Sequence, residues 1–326
     1  LTGVSAARVA GTALGVAAAA GAAAAAVWGV FVERNRFQLR HEIVPVLAPG
    51  ARSITVLHVS DLHMAPWQHR KQQWVRELAT IVEPDLIVNT GDNMGHVEGL
   101  EGLRAALDPF AGIPGVYVNG SNDYFGPQAK NPLKYFGGPS GRPDKSATLD
   151  VDAMERYFDD QLGWLNLNNR ARAIELRGSR LEFFGVNDAH RHWDRLDRLP
   201  GAIEEMHENV GWQDDRGGPD PVALGVTHAP YRRVLDSFVT NGAEMIFAGH
   251  THGGQVRIPG RPALVTNCDI PPEQAQGLTL WRHARRTAYL NVSAGLGTSI
   301  YAPVRFACPP EAVVVTFVAG DSVDAY

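Results

Sequence analysis

Five short segments of this 326-residue chain carry side chains suited to holding metal ions, and each follows a run that reads as a β-strand. In Asp61-Leu62-His63, an extended backbone points residues i and i+2 to the same side, so a carboxylate and an imidazole can reach one ion. Alone, that pattern also occurs on ordinary surfaces. In Gly91-Asp92-Asn93 the glycine permits a tight turn and presents Asp92 at a sheet edge, where its two oxygens can bridge two cations. An isolated Gly-Asp is equally an ordinary turn. The third segment is Gly120-Ser121-Asn122-Asp123, and the fourth centres on His228 in Val226-Thr227-His228-Ala229-Pro230, where a lone histidine is more often hydrogen-bonded than ligating. The fifth, Gly249-His250-Thr251-His252-Gly253-Gly254-Gln255, sets two histidines one residue apart among three glycines. Packing does not explain such a run, whereas a turn wrapped around metal does.

The elements that must position these segments are short and β-rich. Ile54 to Val59, Leu86 to Val88, Val116 to Val118, Leu181 to Val186, Ala223 to Val226, Met245 to Phe247, Tyr289 to Val292 and Val313 to Phe317 read as strands. Trp74, Leu78, Ile81 and Val82 fall at helical spacing and are expected to face a core, with Pro84 stopping that helix. Pro45, Pro49 and Gly50 mark a linker and first strand. Strands alternating with helices imply an α/β class with some antiparallel pairs toward the C-terminus. From Phe125 to Thr148 the composition turns to Gly, Pro, Lys and Asn, which fits either a lid or a tolerated surface insertion. Asp214 to Pro221 is a second polar loop.

In order and spacing, Asp-x-His, Gly-Asp, Gly-x-Asn-Asp, His and Gly-His-x-His-Gly resemble the motifs of the calcineurin-like metallophosphoesterases throughout Ile54 to Gly254. The tail from Ser293-Ala294-Gly295-Leu296-Gly297 to Pro303-Val304-Arg305-Phe306 and Pro310-Glu311 is similar to the bacterial membrane-associated subgroup. The resemblance implies a four-layer α/β/β/α sandwich of two mixed sheets flanked by helices, and two divalent metal ions (manganese, iron or zinc). It implies that Asp61, His63 and His252 hold the first metal, that Asp92 bridges, and that His228 and His250 hold the second. Such ions activate a water for in-line attack on phosphorus.

The third segment departs from the family. Where the family shows Gly-Asn-His, this chain has Gly120-Ser121-Asn122. In direct register Ser121 takes the ligand position and Asn122 the acid position, and an amide donates no catalytic proton. Either a small backbone shift lets Asn122 bind metal, or Ser121 or water does. The expectation is then either a weaker affinity for the second metal or a substrate whose leaving group needs no proton, such as a nucleotide or another phosphate. Asp92 and Asn122 are the candidate catalytic residues. The alternative is a non-catalytic metal-binding membrane module. A serine hydrolase is excluded, because the chain has no Gly-x-Ser-x-Gly elbow.

Val9 to Val32 contains no charged residue, and 24 positions suffice to cross a bilayer as a helix. The stretch reads as an uncleaved anchor rather than a secretory signal peptide. Residues 1–40 therefore form an anchor and juxtamembrane segment and residues 41–326 a phosphoesterase domain. Arg8 precedes the span and Arg34, Arg36 and Arg40 follow it, which by the positive-inside rule puts the catalytic part in the cytoplasm. An anchor beside such a site points to a lipid-linked phosphoester or pyrophosphate as substrate and the membrane as partner. A formal net charge of −5 gives no sign of a nucleic-acid partner. Cys268 and Cys308 are too few for a disulfide framework and read as buried thiols. Asn187, Asp188 and His190 read as a self-capped loop near the site, Arg305 as either a phosphate contact or a structural pair, and His192, His207 and His283 as surface.

Overall fold

The structure, a computed structural model, describes residues 2–127, 147–212 and 218–320. Helix α1 (Thr2–Val27) precedes strands β1 (Gln38–Leu47) and β2 (Ile54–Val59), α2 (His69–Val82), β3 (Leu86–Asn89), α3 (Gly99–Leu107), β4 (Gly115–Tyr117) and the one-turn α4 (Ser121–Tyr124). Then come α5 (Val151–Arg156), β5 (Trp164–Asn166), β6 (Arg170–Leu176), β7 (Ser179–Gly185), α6 (Leu199–Val210), β8 (Val222–Val226), α7 (Arg232–Thr240), β9 (Met245–Ala248), β10 (Gly277–His283), β11 (Arg286–Val292) and β12 (Glu311–Ala319).

These strands make two six-stranded mixed sheets, ordered β1-β12-β2-β3-β4-β5 and β10-β11-β9-β8-β7-β6. Within the first, β12 runs antiparallel to β2 and parallel to β1, while β2, β3, β4 and β5 are parallel. In the second, β7, β8, β9 and β11 are parallel, and β6 and β10 are antiparallel edges.

Strand alternation explains the layering. In β2, Ile54 and Val56 join Phe183, Leu224 and Phe247 of the other sheet in a core between the sheets, while Leu57 and Val59 face α2 and α3 on the outside. A third cluster packs Phe184, Ile246 and Leu290 against Leu235 and Phe238 of α7. The expected α/β/β/α arrangement of two mixed sheets flanked by helices is what these three cores hold together.

Two local readings change. On α2 the buried stripe is Val75 and Leu78, with Trp74 and Val82 at its edges, and Ile81 is 66% exposed. The helix ends one residue after Ile81, with Glu83 left-handed ahead of Pro84, so Ile81 sits on the solvent side of the last turn. Strand β1 begins at Gln38, inside the segment assigned above to the juxtamembrane part. The ends of the 125–148 stretch meet in a bridge between Phe125 and Thr148, but residues 128–146 of the candidate lid lie outside the described residues, as do 213–217 of the second polar loop.

His58 of β2 is a polar group buried between the sheets. Its ring packs edge-on against Phe247 at 5.2 Å, and burial, with Arg40 nearby, lowers its pKa to about 3. The folded state thus refuses a proton that the unfolded chain accepts below its ordinary pKa near 6.5. Its contribution to stability is complete above that pH and is lost as the pH falls toward 3. Urea unfolding of the protein should show a loss of about 2 kcal/mol from this residue between pH 6.5 and pH 5, and His58→Gln should flatten the slope by one proton. An unchanged slope in the variant would contradict the assignment.

Candidate metal site

The parallel strands of each sheet end on one side of the molecule, and all five segments are delivered there. Asp61, His63, Asp92, His250 and His252 each adopt positive φ, between 39° and 68°. Non-glycine residues rarely take such backbone, and its concentration here means the loops curl back on a common centre instead of running on as turns. The loops also touch. A Cβ on Gly120 would collide with the Asp92 carboxylate, and a Cβ on Gly91 with the backbone of Asn119 and Gly120. Glycine at both positions lets the second and third segments close on each other.

One side of the centre is formed by Asp61, His63 and His252. His63 Nε2 and His252 Nε2 are 3.2 Å apart with their rings stacked, and His252 Nε2 lies 3.5 Å from Asp61 Oδ1. Asp61 Oδ1 is buried and has no hydrogen-bond partner. Burial lowers the pKa of His63 to about 4 and holds His252 well below the usual histidine range, so both rings are neutral. Facing imidazole lone pairs beside a bare carboxylate oxygen fit a cation and do not make a hydrogen-bonded set.

Asp92, His228, His250 and Asn122 form the other side. Asp92 Oδ2 sits 3.6 Å from His63 Nε2 and 3.4 Å from His228 Nε2, between the two groups. His228 Nδ1 is 2.7 Å from the Thr90 carbonyl, which fixes the proton there and turns Nε2 inward. His250 Nδ1 faces His228 Nε2 at 3.3 Å, while its Nε2 meets Asn267. Burial alone would raise the Asp92 carboxyl, but His228, His63 and the Asn122 amide hold it well below the carboxylate range. Burial would likewise lower His228, yet Asp92, Asp61 and Asp188 raise it well above the histidine range. Asp61, Asp92 and His228 make a second cluster whose ligand atoms lie within 4.8 Å of one another.

In the third segment it is Asn122 that bonds to Asp92. Its backbone N–H donates to Asp92 Oδ1 at 2.9 Å and its Nδ2 to Asp92 Oδ2 at 2.6 Å. Turning that amide by half a rotation would present Oδ1 to the same point. Ser121 opens α4, and no bond links it to Asp92. Asp123 holds the loop, accepting from the backbone N–H groups of Gly120, Asp92, Asn93 and Met94.

Supporting groups that the sequence did not mark surround the ligands. Arg40 donates to the Asn291 side-chain oxygen, Asn291 Nδ2 to His58 Nδ1, and His58 Nε2 lies 3.0 Å from Thr90 Oγ1. Thr90 then donates to Ser60 Oγ, and Ser60 to Asp61 Oδ2. This chain of bonds crosses the core and ends on a ligand-type carboxylate, which it orients. Lys71, buried on α2, donates to the Leu62 and His63 carbonyls. Arg305 turns out to be structural, fully buried and donating to the carbonyls of Ala294, Gly295, Gly297 and Cys308. Asn187 and Asp188 cap their own loop as expected, yet the loop also approaches the site, with the His190 ring 4.7 Å from that of His250 and His190 Nδ1 2.9 Å from the Tyr231 hydroxyl. His192 is exposed, whereas His207 pairs with Glu182 and His283 with Asp236. Both cysteines are free thiols, Cys308 buried and Cys268 half-buried.

A curated relative in Bacillus subtilis, the uncharacterized protein YpbG, is 25% identical over 279 residues, covering 82% of each chain. Among solved structures, the NAD nucleotidase of Haemophilus influenzae aligns at a TM-score of 0.41 and 8% identity over 76% of this chain, which spans about half (51%) of that protein. The phosphopantetheinyl hydrolase of Mycobacterium tuberculosis aligns at a TM-score of 0.38 and 14% identity, over 81% of this chain and 96% of that one. The model of the calcineurin-like phosphoesterase family matches residues 54–254. That match opens at the strand delivering Asp61 and closes at the second glycine after His252, so it spans all five segments and more than half of the sequence, and the chain belongs to the calcineurin-like phosphoesterase family.

Proposed function

We propose that this chain hydrolyses a phosphoester or pyrophosphate bond in a lipid-linked substrate, using two divalent cations held by Asp61, His63, Asp92, Asn122, His228, His250 and His252. The observation that carries the reading is the position of Asp92 Oδ2 between His63 and His228, which is where a carboxylate shared by two ions must stand. Nitrogen and oxygen donors of this kind suit manganese, iron or zinc. Bound there, the ions supply Lewis acidity toward a phosphoryl oxygen and toward the attacking water.

The protein's own groups set the geometry. The bonds from His228 to Thr90 and from Ser60 to Asp61 aim each ligand before substrate arrives, so little reorganisation is needed during the reaction. Neither Ser121 nor Asn122 can protonate a departing alkoxide. A departing group stable as an anion, as a phosphate or nucleotide is, fits that pair. The helical stretch Leu14–Asn35, which begins in α1 and runs eight residues past it, has the length and composition to cross a membrane. In this reading it is the anchor, the chain from β1 onward is the hydrolase, and the excess of arginine after the span favours the cytoplasmic side for the site.

The test is a substrate panel with the full-length protein in lipid nanodiscs and added metal. A lipid-linked phosphoester or pyrophosphate should be turned over with kcat/KM at least about tenfold above a soluble nitrophenyl ester. Hydrolysis of the soluble ester with no lipid substrate accepted would defeat the lipid assignment. Bound metal with no turnover of anything would defeat catalysis itself.

A further inference from the structure

The end of the molecule that holds the site is also the end at which α1 arrives. β2 runs toward the site, β12 is antiparallel to it, and β1 is parallel to β12, so β1 starts at Gln38 on the site side. The stretch between α1 and β1 is docked there. Gly29 is buried against the backbone carbonyl of Arg305 and the side chain of Val304, where a Cβ would stand only 2.7 Å from the former. Arg305 N–H donates to the Gly29 carbonyl at 3.1 Å, and Cys308 N–H to the buried Glu33 carboxylate at 2.7 Å. The guanidinium of the same Arg305 lies 3.4 Å from His252 Nδ1. A single residue thus connects the foot of the apolar helix to a ligand-type imidazole.

Around that end the loops expose large apolar side chains. Outside α1 and its junction, nine are exposed among the described residues, and six of them, Trp67, Val97, Val256, Ile258, Leu264 and Tyr301, lie on loops that leave β2, β3, β9 and β11 at the site end of the sheets. Scattered singly, such residues would need no explanation; gathered at one end they do. They are also tied together. Arg257 and Phe306 exchange backbone bonds with their neighbours across a bridge between Val256 and Phe306, which joins the loop of Val256 and Ile258 to the segment that seats Gly29. Trp67 stacks edge-on with His96 at 4.8 Å, next to Val97. Arg261 stands exposed on the loop of Val256 and Ile258, and Arg70 is exposed in the first turn of α2, just after the loop of Trp67. Aromatic and apolar groups interleaved with arginine are the composition of surfaces that sit in a lipid headgroup layer.

We infer that the mouth of the site lies against the bilayer crossed by α1, with Trp67, Val97, Val256, Ile258 and Tyr301 inserted at the headgroup level. The occupant of this apolar rim is the lipid surface, because α1 is fixed to the rim and brings the membrane to it. A lipid's phosphate then reaches the site without its acyl chains leaving the membrane. The inference rests on α1 lying in a membrane, as proposed above.

The experiment places the photocrosslinker p-benzoylphenylalanine, one position at a time, in the full-length chain in phosphatidylcholine/phosphatidylglycerol nanodiscs. Positions 258 and 301 probe the rim, 16 probes α1, and 285, in the β10–β11 hairpin at the opposite end of the sheets, serves as the aqueous control. Mass spectrometry should find lipid adducts at 16, 258 and 301, at least about fivefold above position 285. Adducts at 16 with none at 258 or 301 would overturn the rim while leaving the anchor standing. No adducts at 16 would remove the anchor and the rim together. The readout needs no substrate or metal, so it is independent of whether the hydrolase assignment holds.

Discussion

Asp92→Asn should reduce phosphoesterase turnover about 10³-fold, equivalent to about 4 kcal/mol of transition-state stabilisation, and should release most of the bound metal. The size follows from position. Asp92 Oδ2 faces an imidazole of each group, His63 Nε2 at 3.6 Å and His228 Nε2 at 3.4 Å. The amide keeps the shape but removes the anion, so the cations proposed above would lose the carboxylate they share. Asn122→Ala should act on the second ion alone, lowering metal content by about one equivalent and turnover by about tenfold to a hundredfold. Elemental analysis beside a steady-state assay separates the two variants, and a thermal melt shows that each is folded. Full metal content with full activity in Asp92→Asn would refute the bridge.

The largest loss of stability is expected from Arg305→Met, about 4 kcal/mol, which is a large part of the stability of a typical domain. The guanidinium is wholly buried and holds four backbone carbonyls, those of Ala294, Gly295 and Gly297 at 2.7 to 3.0 Å and that of Cys308 at 3.3 Å. Methionine fills similar volume but donates nothing, and four buried acceptors lose their partners together. Arg305→Lys should recover only part of the loss, since one ammonium cannot reproduce the planar fork. Denaturant titration of the full-length protein measures this directly. A midpoint within experimental error of the parent would show that the carbonyls find water or other donors. Because the same arginine lies beside His252, metal affinity should fall along with stability.

Much of the site is legible because metal ligation demands donor types that folding does not. Two histidines one residue apart among glycines, as in His250 and His252, have no packing rationale. The strands were legible for a related reason, as runs such as Ile54 to Val59 are too short and too branched for helices. The rest depends on distance in space. His58 is an ordinary strand residue three positions before Asp61, and nothing local shows that Asn291 and Thr90 will meet its two nitrogens. Lys71 lies on the face of α2 that also carries Val75 and Leu78, a placement that usually belongs to apolar side chains. Asn122 stands in the acid position by register, and only the closure of its loop on Asp92 shows that its amide reaches the centre. Ile81 departs from its expected core face because periodicity continues to the last turn of a helix, while the core it would face does not.

The last described strand of the domain is not at a sheet edge. β12 lies between β1 and β2, so residues 311–319 supply hydrogen bonds to both and separate the first strand from the second. During synthesis, the chain up to residue 310 can pair β2 with β3 and β4 but leaves β1 without a neighbour. The first sheet, and with it the segment that ties α1 to the catalytic loops, closes only after nearly the whole domain has left the ribosome. Contacts this far apart in sequence are slow to form, and an unpaired β1 is an open edge while they do.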